Sequence, residues 1–270
     1  TKDKRVIKVS PYSPRLAVGA GFWRDRMTRP GGSHGPAGGG TSPEMPRQYV
    51  NFAFYRLDPA WRRLPQHERE VGKKDFKAAV EEFASQMIIL PYTLVGIRAD
   101  ADLMLWRIAT DLDLFQRMTT KLLTTGLGTY LAPAYSYLAM TKRSIYVDKL
   151  DPDHPADRTR IVPGKSRYLF VYPFVKNRDW YRMSPAARQG MMDEHIEVGT
   201  KYRSVKLNTT YSFGLDDQEF VVAFETDQPG DFLDLVMELR GTEASRYTLR
   251  DTPTFTCLAR SLDEALDSLG

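Results

Sequence analysis

GIRADADLMLWRIATD (residues 96–111) and GLDDQEFVVAFETD (214–227) follow one plan. Each opens on Gly and an acidic turn, continues as an apolar strand and closes on Thr-Asp. Working outward from the first copy, YVNFAFYRL (49–57) alternates and is aromatic, so it reads as a strand. KKDFKAAVEEFASQM (73–87) sets Phe76, Ala79, Val80 and Phe83 at helical spacing. Strands near 90–98 and 102–110, a helix near 112–125 and a strand near 134–141 complete a β-α-β-β-α-β order. The second copy has the same surroundings. RYLFVYPFVK (167–176) is a strand, and residues 184–201 form a helix with Ser184 as N-cap and Pro185 at its first position. Strands at 204–213 and 217–226, a helix at 230–245 and the strand TPTFTCLA (252–259) follow, and SLDEALDSL (261–269) ends as a short helix. The expectation is an α+β chain of two ferredoxin-like units, with antiparallel sheets that pack face to face or curl into a barrel. The boundaries are an N-terminal arm with a Gly/Pro-rich loop at 1–48, a first unit at 49–150 and a second at 160–270.

Composition narrows the function classes. The chain has 270 residues, 42% hydrophobic and 27% charged, with a net charge of +4. The charges are mixed, and no Lys/Arg block resembles a nucleic-acid arm. A basic patch suited to an acidic small molecule stands beside the plainer reading of a solvated surface. The single cysteine, Cys257, excludes an internal disulfide and a four-cysteine zinc site. No apolar run approaches the ~18–20 residues of a membrane span. TKDKRVIKVS (1–10) lacks the apolar core of a signal peptide, so a cytoplasmic protein is expected. MTRPGGSHGPAGGGTSPEMP (27–46) gains little from burial and is expected to be a loop or an arm on a neighbour.

No pair among His34, His67, His154 and His195 has zinc-site spacing. Nucleophile elbows, P-loops and dinucleotide fingerprints are also missing. A single axial ligand is the remaining chemistry. In the 184–201 helix, Ala187, Met191, His195, Val198 and Tyr202 share one face. Spacing alone leaves His195 either a satisfied core histidine or an iron ligand. The second role needs one imidazole on a rigid element, apolar walls and an acceptor for the outer ring nitrogen.

YLFVYPFVKNRDWY (168–181), SPAARQGMMDEHIEVGTKY (184–202) and YSFGLDDQEFVVAFETD (211–227) resemble the C-terminal half of the chlorite dismutase and coproheme decarboxylase family. RYTLRDTPTFTC (246–257) agrees, and PAYSYLA (133–139) carries a weaker likeness in the first half. The resemblance implies haem b or Fe-coproporphyrin III bound through His195, with Met191 in the pocket wall. Glu243 would accept a hydrogen bond from the outer nitrogen of His195. Arg158 and Arg160 would clamp propionates, because guanidinium binds carboxylate bidentately.

Within the family, Tyr172 with Lys176 in Y-P-F-V-K matches the coproheme decarboxylase branch. Those enzymes use hydrogen peroxide to convert two coproheme propionates to vinyl groups. Chlorite-degrading members carry an apolar residue in place of Tyr172 and a distal Arg where this chain has Asn208 or, with a one-residue shortening, Leu207. Asn208 is the candidate distal residue, with Leu207 as the alternative. The alternatives are a chlorite dismutase and a non-enzymatic haem-binding protein. Without the resemblance, Tyr172 reads as a core tyrosine, and Lys176, the arginines and Glu243 read as solvated surface. The family also implies a homo-oligomer, expected as a ring of five.

Overall fold

The computed structural model describes residues 46–144, 146 and 160–270. Arg158, His34, His154 and nearly all of the arm assigned to 1–48 lie outside the described residues. The first half contains β1 (Tyr49–Leu57), α1 (Gln66–Glu81), β2 (Ile88–Thr93), β3 (Leu103–Ala109), α2 (Asp113–Leu122) and β4 (Leu131–Met140). The second contains β5 (Tyr168–Lys176), α3 (Arg178–Arg182), α4 (Pro185–Lys201), β6 (Lys206–Tyr211), β7 (Phe220–Thr226), α5 (Pro229–Arg240), β8 (Thr248–Arg250), β9 (Phe255–Ala259) and α6 (Leu262–Asp267). Each half has the ferredoxin-like order that the repeat announces. The short α3, the three-residue β8 and a 3-10 turn at Glu243–Tyr247 are additions that the repeat does not show.

The sheet runs β7-β6-β4-β1-β3-β2-β9-β5-β8, and β7 also pairs with β5. Eight antiparallel strands therefore close into a barrel, with β8 attached to the end of β5. Closure removes free strand edges. The seams between halves are short: Met140 opposite Tyr211 on one side, Tyr92 and Thr93 opposite Ala259 and Leu258 on the other.

Strand alternation sends every second residue inward. Phe52, Phe54, Trp106, Leu169, Val171, Ala223, Phe255 and Cys257 fill one barrel core drawn from both halves. The outward rows are covered by helices. On the first half, Phe76, Val80, Phe83, Leu105, Phe115 and Met118 form a dense outer layer. Ala265, Leu266 and Leu269, at the C-terminal end of the second half, pack into that same layer. On the second half the outer layer is thinner. Phe170, Phe224, Phe232 and Leu235 are its buried members, with Tyr172, Val198 and Tyr202 half-buried against them.

Candidate functional site

The site is built from α4 and the outer face of β5–β7. Ser184 caps α4 by accepting from the Ala187 N–H at 3.2 Å, and Pro185 follows at the first position. Thus the cap that the sequence specifies starts the helix and fixes its rotation. None of the 17 residues of α4 is buried. Beside the half-buried contact of Val198, polar ties hold the helix. Glu194 accepts from the Glu243 N–H at 3.0 Å, Lys201 pairs with Glu238 at 3.1 Å, and the Tyr202 hydroxyl donates to Glu238 at 2.6 Å.

His195 sits mid-helix on the row shared with Met191 and Val198, all half-buried. Its Nδ1 lies 3.3 Å from Thr242 Oγ1. The Thr242 hydroxyl donates to the Leu239 carbonyl at 2.7 Å, so its single proton is already committed. In the contact with His195 it therefore accepts. The network assigns the proton to Nδ1 and leaves the Nε2 lone pair bare. Burial lowers the His195 pKa to about 4, with the Lys176 cation contributing and Glu194 opposing. The imidazole is neutral at physiological pH, which is the form that ligates metals.

On the sheet, Tyr172 of β5 stacks on Phe224 with ring centroids 5.9 Å apart and planes at 20°, in the apolar layer that Val198 also joins. Burial, helped by Asp251, pushes its phenol well above the usual tyrosine pKa, so it stays protonated. Lys176 ends β5. Its ammonium donates to the Ala244 carbonyl at 2.5 Å and lies 4.7 Å from the Trp180 ring centre. Burial lowers its pKa to about 8 against the opposing pull of Glu219.

Two of the residues singled out from the sequence are placed otherwise. Asn208 stands opposite Ala223, whose side chain is in the barrel core, so Asn208 shares the inner face. There its amide donates to Glu225 Oε1 at 2.8 Å, and Glu225 Oε2 accepts from the Gly164 N–H at 2.6 Å. Leu207 and Thr209, opposite Phe224 and Val222, lie on the outer face with Tyr172. Successive strand residues point to opposite faces, so Leu207, and not Asn208, shares the face of Tyr172. Glu243 is exposed and touches α4 through its backbone, while the outer nitrogen of His195 meets Thr242. Sequence reasoning missed Thr242, whose only signal is a hydroxyl residue directly after the Gly241 helix end. Arg160 is half-buried at the start of the segment leading into β5.

The donor set can be tested against an iron porphyrin. Among the described residues, no three His, Cys, Asp or Glu side chains converge to hold a metal ion. One neutral imidazole on the helical row of Met191 and Val198, above a sheet face that carries Tyr172 and Phe224, suits an iron that brings its own equatorial ligands. The residues fit the group.

Comparison with known proteins agrees with the fold. The model of the chlorite dismutase family matches residues 69–260. A coproheme decarboxylase of Mycolicibacterium smegmatis is 35% identical over 167 residues, which is 61% of this chain and 70% of that protein. Chlorite dismutase from Candidatus Nitrospira defluvii, solved in complex with imidazole, superposes with a TM-score of 0.75 at 28% identity, covering 82% of this chain and 94% of that one. A haem-binding protein of Thermus thermophilus gives a TM-score of 0.75 at 26% identity over 83% and 96% of the two chains. This chain belongs to the chlorite dismutase family. Among the described residues no helix is long and apolar enough to cross a membrane.

Proposed function

We propose that this protein is a coproheme decarboxylase, with residues 160–270 as its porphyrin-binding half and His195 as the iron ligand. The carrying observation is that α4 carries a neutral imidazole at His195 while β5, whose outer face packs in the same layer as Val198 of α4, carries a half-buried phenol at Tyr172 that stays protonated. The likeness to the mycobacterial enzyme supports the same branch.

The overall change is balanced in each round. One propionate loses carbon dioxide, one proton and two electrons to become a vinyl group, and those electrons, with that proton and one more from solvent, reduce one hydrogen peroxide to two waters. Two rounds convert ferric coproporphyrin III to haem b. When bound, the iron porphyrin supplies the oxidising equivalents from peroxide. Tyr172, kept protonated by burial, can release a proton and an electron together and regain them from a propionate C–H. Lys176 is cationic below about pH 8 and uses one N–H on Ala244. Its remaining N–H groups are available to a carboxylate, which Arg158 and Arg160 would also hold. Met191 contributes an apolar wall beside the ligand.

The position opposite Phe224 is Leu207, 51% exposed on the Tyr172 face. An apolar residue there offers no cation to a chlorite anion, which weighs against the chlorite reaction. A ring of five subunits, hydrogen peroxide as co-substrate and a cytoplasmic setting belong to the same proposal. The test is to load the apoprotein with ferric coproporphyrin III, add peroxide and follow products by mass spectrometry. Stepwise appearance of the mono- and di-decarboxylated porphyrins is expected. Oxygen evolution from chlorite with no decarboxylated product would overturn the assignment, and so would binding without turnover of either substrate.

A further inference from the structure

We propose that Thr242, through its neutral hydroxyl, is the residue that positions His195 and selects its tautomer, in place of a carboxylate. This rests on the reading of His195 as the iron ligand. Free imidazole favours a proton on Nε2, the nitrogen that must be bare to bind metal. The site reverses that preference with a directional chain. His195 Nδ1–H donates to Thr242 Oγ1, and Thr242 in turn donates to the Leu239 carbonyl at the end of α5. Thr242 is buried, so water does not compete for that oxygen.

The turn behind Thr242 is held on three sides. The Glu243 N–H donates to Glu194 on α4, the Ala244 carbonyl accepts from Lys176, and the Tyr247 carbonyl accepts from the Asn177 N–H. Lys176 and Glu194 therefore act on His195 through the turn: they fix where Thr242 stands. A hydroxyl acceptor polarises the Nδ1–H bond less than a carboxylate does. The ligand is then a neutral imidazole with little imidazolate character, and the backbone-only role of Glu243 follows from the same geometry.

The experiment uses the full-length chain labelled with 15N-histidine, first without porphyrin and then titrated with ferric coproporphyrin III. In the wild type, long-range 1H–15N spectra should show the His195 proton on Nδ1. Thr242→Val, which keeps shape and removes the hydroxyl, should return the proton largely to Nε2 and weaken porphyrin affinity by roughly 10–100-fold. Thr242→Ser should restore both readings to near wild type. Glu243→Gln should leave the tautomer as it is. The proposal is overturned if Thr242→Val keeps the proton on Nδ1, or if Glu243→Gln moves it. Failure to bind porphyrin at all would instead defeat the functional reading, and the tautomer measurement on the apoprotein stands apart from that result.

Discussion

On the first half of the barrel, α1 buries Gly72, Phe76, Ala79 and Val80 in its 16 residues; on the second half, α4 has 17 residues and buries none. The two helices occupy corresponding places in the repeat. Below α1 the sheet contributes Ala53, Tyr55, Leu103 and Leu105, and the space is filled by the chain itself. Arg107 occupies part of it, its guanidinium bonded to Asn51, Thr119 and the Phe115 carbonyl. Below α4 the sheet offers Tyr172 and Phe224, and the helix is secured at its rim by Glu194, His195, Lys201 and Tyr202. The inner row of α4 is only half-buried, with Val198 against the thin apolar layer on β5 and β7. Under the proposed function, duplication gives one half that stabilises and one half that binds.

This contrast has measurable consequences. In urea denaturation of the apoprotein, Phe76→Ala should cost about 3–5 kcal/mol, as a large buried side chain does. Val198→Ala on α4 should cost under about 1 kcal/mol. Equal losses would break the contrast. In the porphyrin-loaded protein, Tyr172→Phe should lower turnover at least about 100-fold while porphyrin affinity stays within roughly threefold. Unimpaired turnover would remove Tyr172 from the chemistry. Asn208→Leu should destabilise the fold by about 1–3 kcal/mol, because it deprives buried Glu225 of a donor. Leu207→Ser, one residue away on the outer face, should change stability by no more than about 0.5 kcal/mol. The reverse ranking would invert the strand's faces.

A smaller effect concerns pH. His195 titrates near 4 when folded and near 6.5 in its unperturbed state. Between those values the unfolded chain takes up the proton first, so the stability of the apoprotein falls as pH drops from about 6.5 towards 4. The share due to His195 between pH 7 and pH 5 is ~1–2 kcal/mol. It should vanish in His195→Gln, measured by the same denaturation at both pH values. An unchanged pH slope in that variant would place the imidazole in water rather than in the layer.

The repeat was legible because strand alternation and helix spacing are local signals. Ser184 and Pro185 marked the start of α4 to the residue, and the five-residue row on that helix pointed to His195. What stayed hidden was non-local. Polar QHEREV (66–71) starts α1 without an apolar rhythm, so the helix begins before Phe76 announces it. The strand KLNTTY (206–211) has weak alternation, and only pairing with Ala223 fixes which face Asn208 takes. Thr242 displaced Glu243 as the partner of His195 because the end of α5 sets the direction of the turn, and sequence spacing does not. The seat of α6 on the opposite half depends on barrel closure, which brings β9 against β2.

The most direct test is an absorbance titration of wild type and His195→Ala with ferric coproporphyrin III. The account predicts a shifted Soret band and tight binding in the wild type. In the variant it predicts loss of that band position, with affinity reduced by more than the roughly 10–100-fold that outer partners contribute. The same Soret position and the same affinity in both proteins would contradict it.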